Sequence, residues 1–592
     1  YDCLQYFNED HVLDLRFNGR LDHESNILFN NISNNLKNEF NSLITDLSIP
    51  NKDNIDWWVS ELPSRNTSAS PFYHYLCCVH LIHCLVQDSS FNFKRIIVDT
   101  LEMKKLVQEI IKKNNTINST VEIKNSVRKK LKKLLIDYFG DLYMLNYNIL
   151  KWFIAKLSRD SNRQILPNRS LVLIDTFVIP GYTNTKRWYG SLWENLNDEL
   201  KNETYFVSTI IRTSLFKLFS IYKDIRSNDE NYIIKEDYIH FIDFFFAFRY
   251  KQRVKSFKMK KVKILNFDIT GIINECMSNP RDIFSIYESL LTYRFFFRLK
   301  QKKIKVRLSI DWFEGQINDK AWSAGFHKFY PGIMTYAYRA FESYPLYLCS
   351  YPIQIEKKAG VIPKVFALQG AKTVKSVKEF MPDLDTILIP AYKSEHVFNM
   401  ANQSNRFKSN TIIVSLPISI KVSSYIISII KDVCNNKIYQ KNNYRFIIKP
   451  HPANSVKIVY PLRLETLPPN ILFTAEKSFP ALLYSANVLI TEASSTCLEA
   501  IAVGVPVILF KRNDGLFHSP LPEGIDEDLF KICSSGDELK DALNSYLFMS
   551  DTDRKKLIVK GNVVKGNYFQ PITKEGTNRF MNVKQVRNHI HA

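Results

Sequence analysis

The chain has 592 residues, too many for one hydrophobic core, so two large domains or three smaller ones are expected. An apolar share of 45% with 23% charged residues is that of a globular protein and excludes disorder over most of the length. Lys and Arg number 80 against 59 Asp and Glu, and the resulting +21 favours anionic partners: nucleotide phosphates, acidic glycans, anionic lipid headgroups or nucleic acid.

Residues 1–50 are rich in Asn and read as an irregular lead-in. Ile55–Glu61 (IDWWVSE) reads as a strand that ends in the polar turn Leu62–Ser70. A helix is expected from about Pro71 to Val86, a short buried strand at Arg95–Asp99 and a helix from Leu101. Strand and helix in alternation are the mark of a parallel sheet. Residues 126–158 read as helix, Leu171–Thr176 as strand and 190–300 as helix-rich, with basic stretches at Lys251–Lys263 and Arg298–Arg307. Those stretches read as solvated helix faces. No recognition helix or RNA-binding signature accompanies them, so nucleic acid is not an expected partner.

Val306–Ile310 is expected as a strand running into Asp311–Gln316 (DWFEGQ). Beyond residue 345 the pattern sharpens. Val365–Leu368, Thr386–Ile389, Thr411–Leu416, Arg445–Ile448, Asn470–Phe473, Val488–Thr491 and Val507–Phe510 are short apolar strands, several separated by helices. That series predicts a doubly wound parallel sheet. The expected class is α/β, with two Rossmann-like doubly wound domains over 51–350 and 351–592, the second ending in a C-terminal tail, and a boundary near 345–362 in a Pro-containing stretch. No run approaches the roughly 20 uninterrupted apolar residues of a spanning helix. The nine cysteines are scattered and form no C-x-x-C pair, as in a cytosolic protein with reduced thiols.

Two motifs carry the chemistry. Lys449-Pro450-His451-Pro452 ends the strand YRFII, and open α/β sheets bind their ligands at the carboxyl ends of strands. An imidazole held between prolines can donate to a phosphate oxygen, and Lys449 adds charge. The second motif, Val488–Phe510 (VLITEASSTCLEAIAVGVPVILF), parses as strand, loop, helix, Gly504 and strand. Ser494 and Ser495 fall where that helix begins, with Thr496 beside them, so hydroxyls and free N–H groups gather where an anion would sit. Glu499 lies one turn further along the same face, in reach of ribose hydroxyls.

The pair KPHP and SS-x-x-x-EA-x-x-x-G-x-P-V-I resembles the donor half of GT-B glycosyltransferases that use CMP-activated sugars, namely bacterial Kdo transferases of capsule and lipopolysaccharide synthesis and bacterial sialyltransferases with His-Pro and Ser-Ser motifs. WWVSELPSRN, DWFEGQ, FHKFYPG and FESYPLYLCSYP also resemble the bacterial surface carbohydrate biosynthesis proteins. The resemblance implies a GT-B fold with the acceptor side in the first domain and the nucleotide sugar in the second. It implies that Lys449, His451, Ser494, Ser495 and Thr496 hold the phosphate, that Glu499 holds the ribose, and that Gln369 and Gly370 approach the base or the sugar. It implies no cofactor and no metal, since one phosphate fits a compact His-plus-Ser clamp; Asp383-Leu384-Asp385 matches D-x-D but reads as a turn. The implied partners are a CMP-sugar, Kdo-like or another nonulosonic acid, and an anionic glycan or lipid-linked acceptor. The implied location is cytoplasmic, with room for a peripheral contact at the cytoplasmic face of the inner membrane.

Transfer also needs a base or a nucleophile from the acceptor side. Two loops qualify: Glu61 with Arg65 and Asn66, and Asp311 and Glu314 with Gln316. Glu314 is the first choice, because it lies among aromatics beside Gly315; Asp311 and Glu61 follow. His327, Lys328, Arg339 and Glu342 lie near the domain junction and are read as cleft residues that meet an acidic sugar. Other readings stay open: a CDP-glycerol or CDP-ribitol polyol-phosphotransferase, a UDP-hexose epimerase of similar shape, and a non-catalytic scaffold that binds glycan or membrane through its +21 surface.

Overall fold

The computed structural model describes residues 11–582, apart from 18, 89–92, 114–118, 124–126, 160–168, 212, 256, 258–259, 279, 401–408, 452–466 and 512–514. At the start of the chain, β1 (Val12–Asp14), β2 (Arg95–Val98) and β3 (Thr120–Ile123) form a small parallel sheet in that order. The lead-in is not irregular. His23–Asn35 and Lys37–Ser48 are helices, and their Phe29, Phe40 and Ile44 are buried in the first core. Apolar residues there recur at helical spacing, but the intervening asparagines mask the pattern; two of them, Asn26 and Asn41, face inward. Ile55–Glu61 is not a strand either. Ile55–Trp58 and Glu61–Ser64 are helical turns, and Asn54 Oδ1 caps the first by accepting from Asp56 N–H at 2.9 Å. A short aromatic run bounded by a capping residue reads equally as strand or as buried helix.

The main sheet of the first domain takes β4 (Leu171–Val178), β5 (Thr204–Ile210), β6 (Tyr232–Ile234), β9 (Val306–Trp312), β10 (Met334–Arg339), β11 (Val365–Leu368) and β12 (Asp385–Leu388). Between them, β7 (Lys263–Ile264) and β8 (Phe267–Asp268) make a separate antiparallel ribbon. The seven strands are parallel in the order β12-β11-β10-β9-β4-β5-β6, so the winding reverses between β4 and β9. β5 is buried at every position and interrupts the stretch expected to be helix-rich. β11 and β12 pair within this sheet, so the chain leaves the first sheet after residue 388 and not near 350.

The second sheet contains β13 (Thr411–Ser415), β14 (Arg445–Lys449), β15 (Ile471–Phe473), β16 (Ala486–Thr491), β17 (Val507–Phe510) and β18 (Phe530–Cys533). All are parallel in the order β15-β14-β13-β16-β17-β18, with the reversal between β13 and β16. The architecture is thus two doubly wound α/β domains, as in the GT-B fold, with the N-terminal helices and small sheet added to the first.

The C-terminal helices tie the domains together. Asp551–Tyr568 lies along the helix Thr496–Ala502, at a distance that glycine permits: a Cβ on Gly561 would come within 2.3 Å of the Ile501 carbonyl oxygen. The chain then returns to the first domain. Phe580 and Met581, in the helix Lys574–Met581, are fully buried in its core, and the Phe580 ring stacks on Tyr336 with centroids 5.8 Å apart. Tyr392 OH donates to Thr577 Oγ1 at 2.8 Å, and Arg307 donates to the Met581 carbonyl at 2.8 Å.

Candidate active site in the interdomain cleft

The two sequence motifs leave the same edge of the second sheet. Ser415, the last residue of β13, is in register with Lys449 on one side and with Thr491 on the other. At ordinary strand spacing, Lys449 and Thr491 are roughly 10 Å apart, so His451 and the Glu492–Ser495 loop flank the winding reversal from either side. Thr491 Oγ1 donates to the Ser415 carbonyl at 2.9 Å and joins the two strands at that point. Ser495 is the N-cap residue, in helical conformation and without a side-chain cap bond. Ser494 Oγ and Thr496 Oγ1 share a hydrogen bond of 2.8 Å, so the hydroxyls are gathered at the mouth of the crevice. Lys449 Nζ donates to the Ala475 carbonyl at 2.6 Å. Residues 452–466, including Pro452, lie outside the described residues.

The first domain presents its own reversal. β9 ends at Trp312 beside β4, and Phe313–Gln316 follows as a tight loop. Gly315 has φ +80°, and a Cβ there would come within 1.8 Å of the Cys349 carbonyl oxygen, so only glycine closes this turn. Glu314 is held from both sides. Its Oε1 accepts from Trp312 Nε1 at 3.0 Å and its Oε2 from Gln316 Nε2 at 2.6 Å. Asp319 Oδ2 accepts the backbone N–H groups of Glu314 and Gln316, each at 2.9 Å.

The two edges share one cleft, and Lys393 lies within it. Burial pushes its ammonium pKa down, and the charges of Glu499 from the second domain and Glu314 from the first act in the opposite direction. Lys393 also lies 5.2 Å from the Trp312 ring centroid. Glu499 Oε2 is 3.2 Å from His396 Nε2, and its Oε1 accepts from Ser394 Oγ at 3.4 Å. Lys449 is held below the usual lysine range by burial and then by the nearby Arg187 of the first domain. An anion seated between those two cations would relieve their repulsion. A small hollow opens beside this point, lined among others by Arg339, Glu342, Gln369, Ser394, Ser495 and Glu499.

Not every expected residue reaches the cleft. Asp311 is only 1% exposed, and burial and the neighbouring Asp319 and Asp175 push its carboxyl well above the usual range, so it is a core residue and not a base in contact with solvent. Arg65 is equally buried and bonds Glu356 at 2.8 Å, the Tyr351 carbonyl at 2.7 Å and Asn41 at 3.0 Å, joining the N-terminal helices to the main sheet. Glu61 and Asn66 line a separate shallow depression that shares no lining residue with the cleft. Asn66 Oδ1 closes its own turn by accepting from Ser68 and Ala69 N–H, both at 3.1 Å. His327 and Lys328 sit near the far end of the helix Ile317–Phe329, which leads away from the carboxyl edge; a Cβ on Gly360, ahead of β11, would meet the His327 ring at 2.2 Å. Gly370 faces the backbone of Tyr568, where a Cβ would come within 2.4 Å, so it makes room for the C-terminal helix.

Other cleft residues were not singled out from sequence. Arg187 sits in the short helix Lys186–Tyr189 and Lys393 in the single turn Tyr392–Ser394, with no motif around either. Tyr344 lies where the charges of Glu314 and Glu492 both reach it, and its ring is 4.8 Å from that of His518 in the second domain. Glu492 was within reach of sequence reasoning, since it directly follows β16 at the carboxyl edge. Among the described residues, no group of three or more His, Cys, Asp or Glu side chains gathers as a metal site would need.

No family model and no curated protein matches the chain. Solved structures do resemble it. MnaA of S. aureus with UDP aligns over 71% of this chain and 98% of its own at 10% identity, with a TM-score of 0.43. CalG4, the calicheamicin glycosyltransferase, aligns over 67% and 96% at 12% identity, with a TM-score of 0.37. MurG of Acinetobacter baumannii aligns over 71% and 100% at 11% identity, with a TM-score of 0.35.

Proposed function

We propose that the chain is a glycosyltransferase that moves a sugar from a nucleotide-activated donor to a glycan acceptor, and that the donor is a CMP-sugar of the Kdo-like or nonulosonic type used in building a surface polysaccharide. The observation that carries this reading is the convergence around Lys393, which lies 5.2 Å from the Trp312 ring centroid at the reversal of one sheet, while the adjacent Ser394 donates at 3.4 Å to Glu499 behind the serine loop of the other. Ligands of doubly wound sheets bind at such reversals, and here two of them open on one space. In this reading His451, Ser494, Ser495 and Thr496 surround the single phosphate, with Lys449 and Arg187 supplying positive charge from opposite walls. Glu499 and Gln369 lie toward the ribose and the sugar. Glu314 takes the proton of the attacking hydroxyl or acts as the nucleophile; its grip on Gln316 and Trp312 fixes its direction. No step is assigned to a metal ion.

The test is a donor screen read by product mass. CMP together with an acceptor heavier by one sugar supports the reading. CMP together with a phosphodiester product would instead mark cleavage at the pyrophosphate of a CDP-polyol.

A further inference from the structure

We propose that the long helix Val127–Leu157 and the two helices packed beside it form a face that docks on an anionic phospholipid bilayer, apart from the cleft and beyond the transferase reading. Phe139, Leu142, Tyr143, Leu150, Phe153 and Leu157 are each 47–65% exposed. At 3.6 residues per turn they fall within a sector of roughly 100° and run for about 27 Å along the helix. The opposite face is the packed one. Met144, Leu145 and Tyr147 are buried there, and Lys151 pairs with Glu236 at 2.9 Å and Glu288 at 3.1 Å. A water-facing helix that already buries one apolar face should be polar on the other; this one is not. The one polar residue within the stripe, Asn146, turns back to donate to the Leu142 carbonyl at 2.8 Å.

The two neighbouring helices, packed through the opposite side of the long one, expose apolar residues of their own. The helix Phe241–Phe248 is fastened by Trp152, whose Nε1 donates to the Ile239 carbonyl at 3.1 Å, and it exposes Phe241 at 50% and Ile242 at 64%. The helix Leu215–Arg226 is fastened by Arg226, which donates to the Ala155 carbonyl at 3.1 Å, and it exposes Phe216 at 97%. Exposed apolar surface gathered on contiguous elements marks a docking surface, whereas scattered residues do not.

Charge selects the occupant. Lys217 and Lys223 are exposed on the helix that carries Phe216, and Arg249 is exposed at the end of the helix that carries Ile242; Asp224 is the exposed acid among them. The chain as a whole carries +21. Two copies apposed through this face would bring like charges together, which disfavours self-association. An anionic lipid surface meets the cations and takes the aromatic stripe to a depth of about 5–10 Å. No described helix is long and apolar enough to cross a membrane, so the face would lie on the surface.

The test is co-sedimentation of the full chain with vesicles of phosphatidylcholine alone and of phosphatidylcholine with phosphatidylglycerol. Binding to the anionic vesicles that weakens with added salt, and that drops roughly tenfold or more in the triple variant Phe153→Asp, Phe216→Asp, Ile242→Asp, supports the proposal. A thermal melt confirms that the variant folds. If it does not fold, Lys217→Glu with Lys223→Glu gives the same comparison. No vesicle binding by the parent chain, equal binding to neutral vesicles, or a dimer that the triple variant dissociates would each overturn it.

Discussion

Asp319 Oδ2 accepts the backbone N–H of Glu314 at 2.9 Å and so fixes the loop that presents the candidate catalytic carboxylate. Burial pushes Asp319 well above the usual carboxylate range, with the Glu314 charge acting in the same direction. Asp319→Ala leaves two part-buried N–H groups without their acceptor, at a cost of about 1–3 kcal/mol. It should lower turnover while leaving CMP affinity near that of the parent chain. A calorimetric titration alongside steady-state rates separates the two effects. Equal loss of binding and turnover would make Asp319 a general support of the fold and not a positioning residue for Glu314.

Glu314→Gln keeps the shape of the loop and removes the charge. Loss of a base or nucleophile should reduce kcat by about 10²–10⁴-fold with donor binding preserved. Full activity would move the chemistry elsewhere in the cleft, with Glu492 and Glu499 as the next carboxylates to test.

Chelation should leave transfer unchanged, because the phosphate is assigned to His451, the hydroxyl cluster and two cations. Rates measured with and without EDTA on the purified protein check this. Loss of activity that is restored by a divalent cation would contradict it.

Glu61 gives a pH signature independent of function. Burial, only partly offset by Arg281, raises its carboxyl from 4.5 to about 7. The folded chain therefore keeps a proton that the unfolded chain loses between those values. The resulting stabilisation is complete below the lower value and is lost as pH rises through the upper one. It amounts to on the order of 3 kcal/mol at most. Glu61→Gln should be nearly silent at pH 4.5 and should raise the melting temperature at pH 8. A shift in the reverse direction would show that the carboxylate is paired and charged in the native state.

Phe580→Ala tests the return of the chain to the first domain. The ring is fully buried among Tyr336, Tyr338 and Tyr392, and its truncation should cost about 3–5 kcal/mol. A differential scanning melt should show the loss. An unchanged melt would place the last helix off the core.

Much of the second sheet was legible because its strands are short apolar runs set between helices, a pattern typical of a buried parallel sheet. KPHP and EASS could be placed at strand ends for the same reason. The first domain was harder to read. Its β5, TYFVSTI, carries three Ser or Thr residues that bury well in a strand yet dilute the apolar signal. Glu61, Arg65 and Asp311 each stand near a strand end or an aromatic cluster in sequence, but whether such a side chain turns to the cleft or to the core depends on distant partners. For Arg65 the partner is Glu356, 291 residues away. The same holds for Lys393 and Arg187, which sequence spacing alone cannot bring to one cleft.

The most direct measurement is a crystal structure with CMP bound, read for the groups around its phosphate. The account predicts phosphate oxygens within about 2.7–3.2 Å of both the His451 ring and a hydroxyl of Ser494, Ser495 or Thr496, with Glu314 facing them across the cleft. A nucleotide held by only one of these two motifs, or bound outside the cleft, would contradict it.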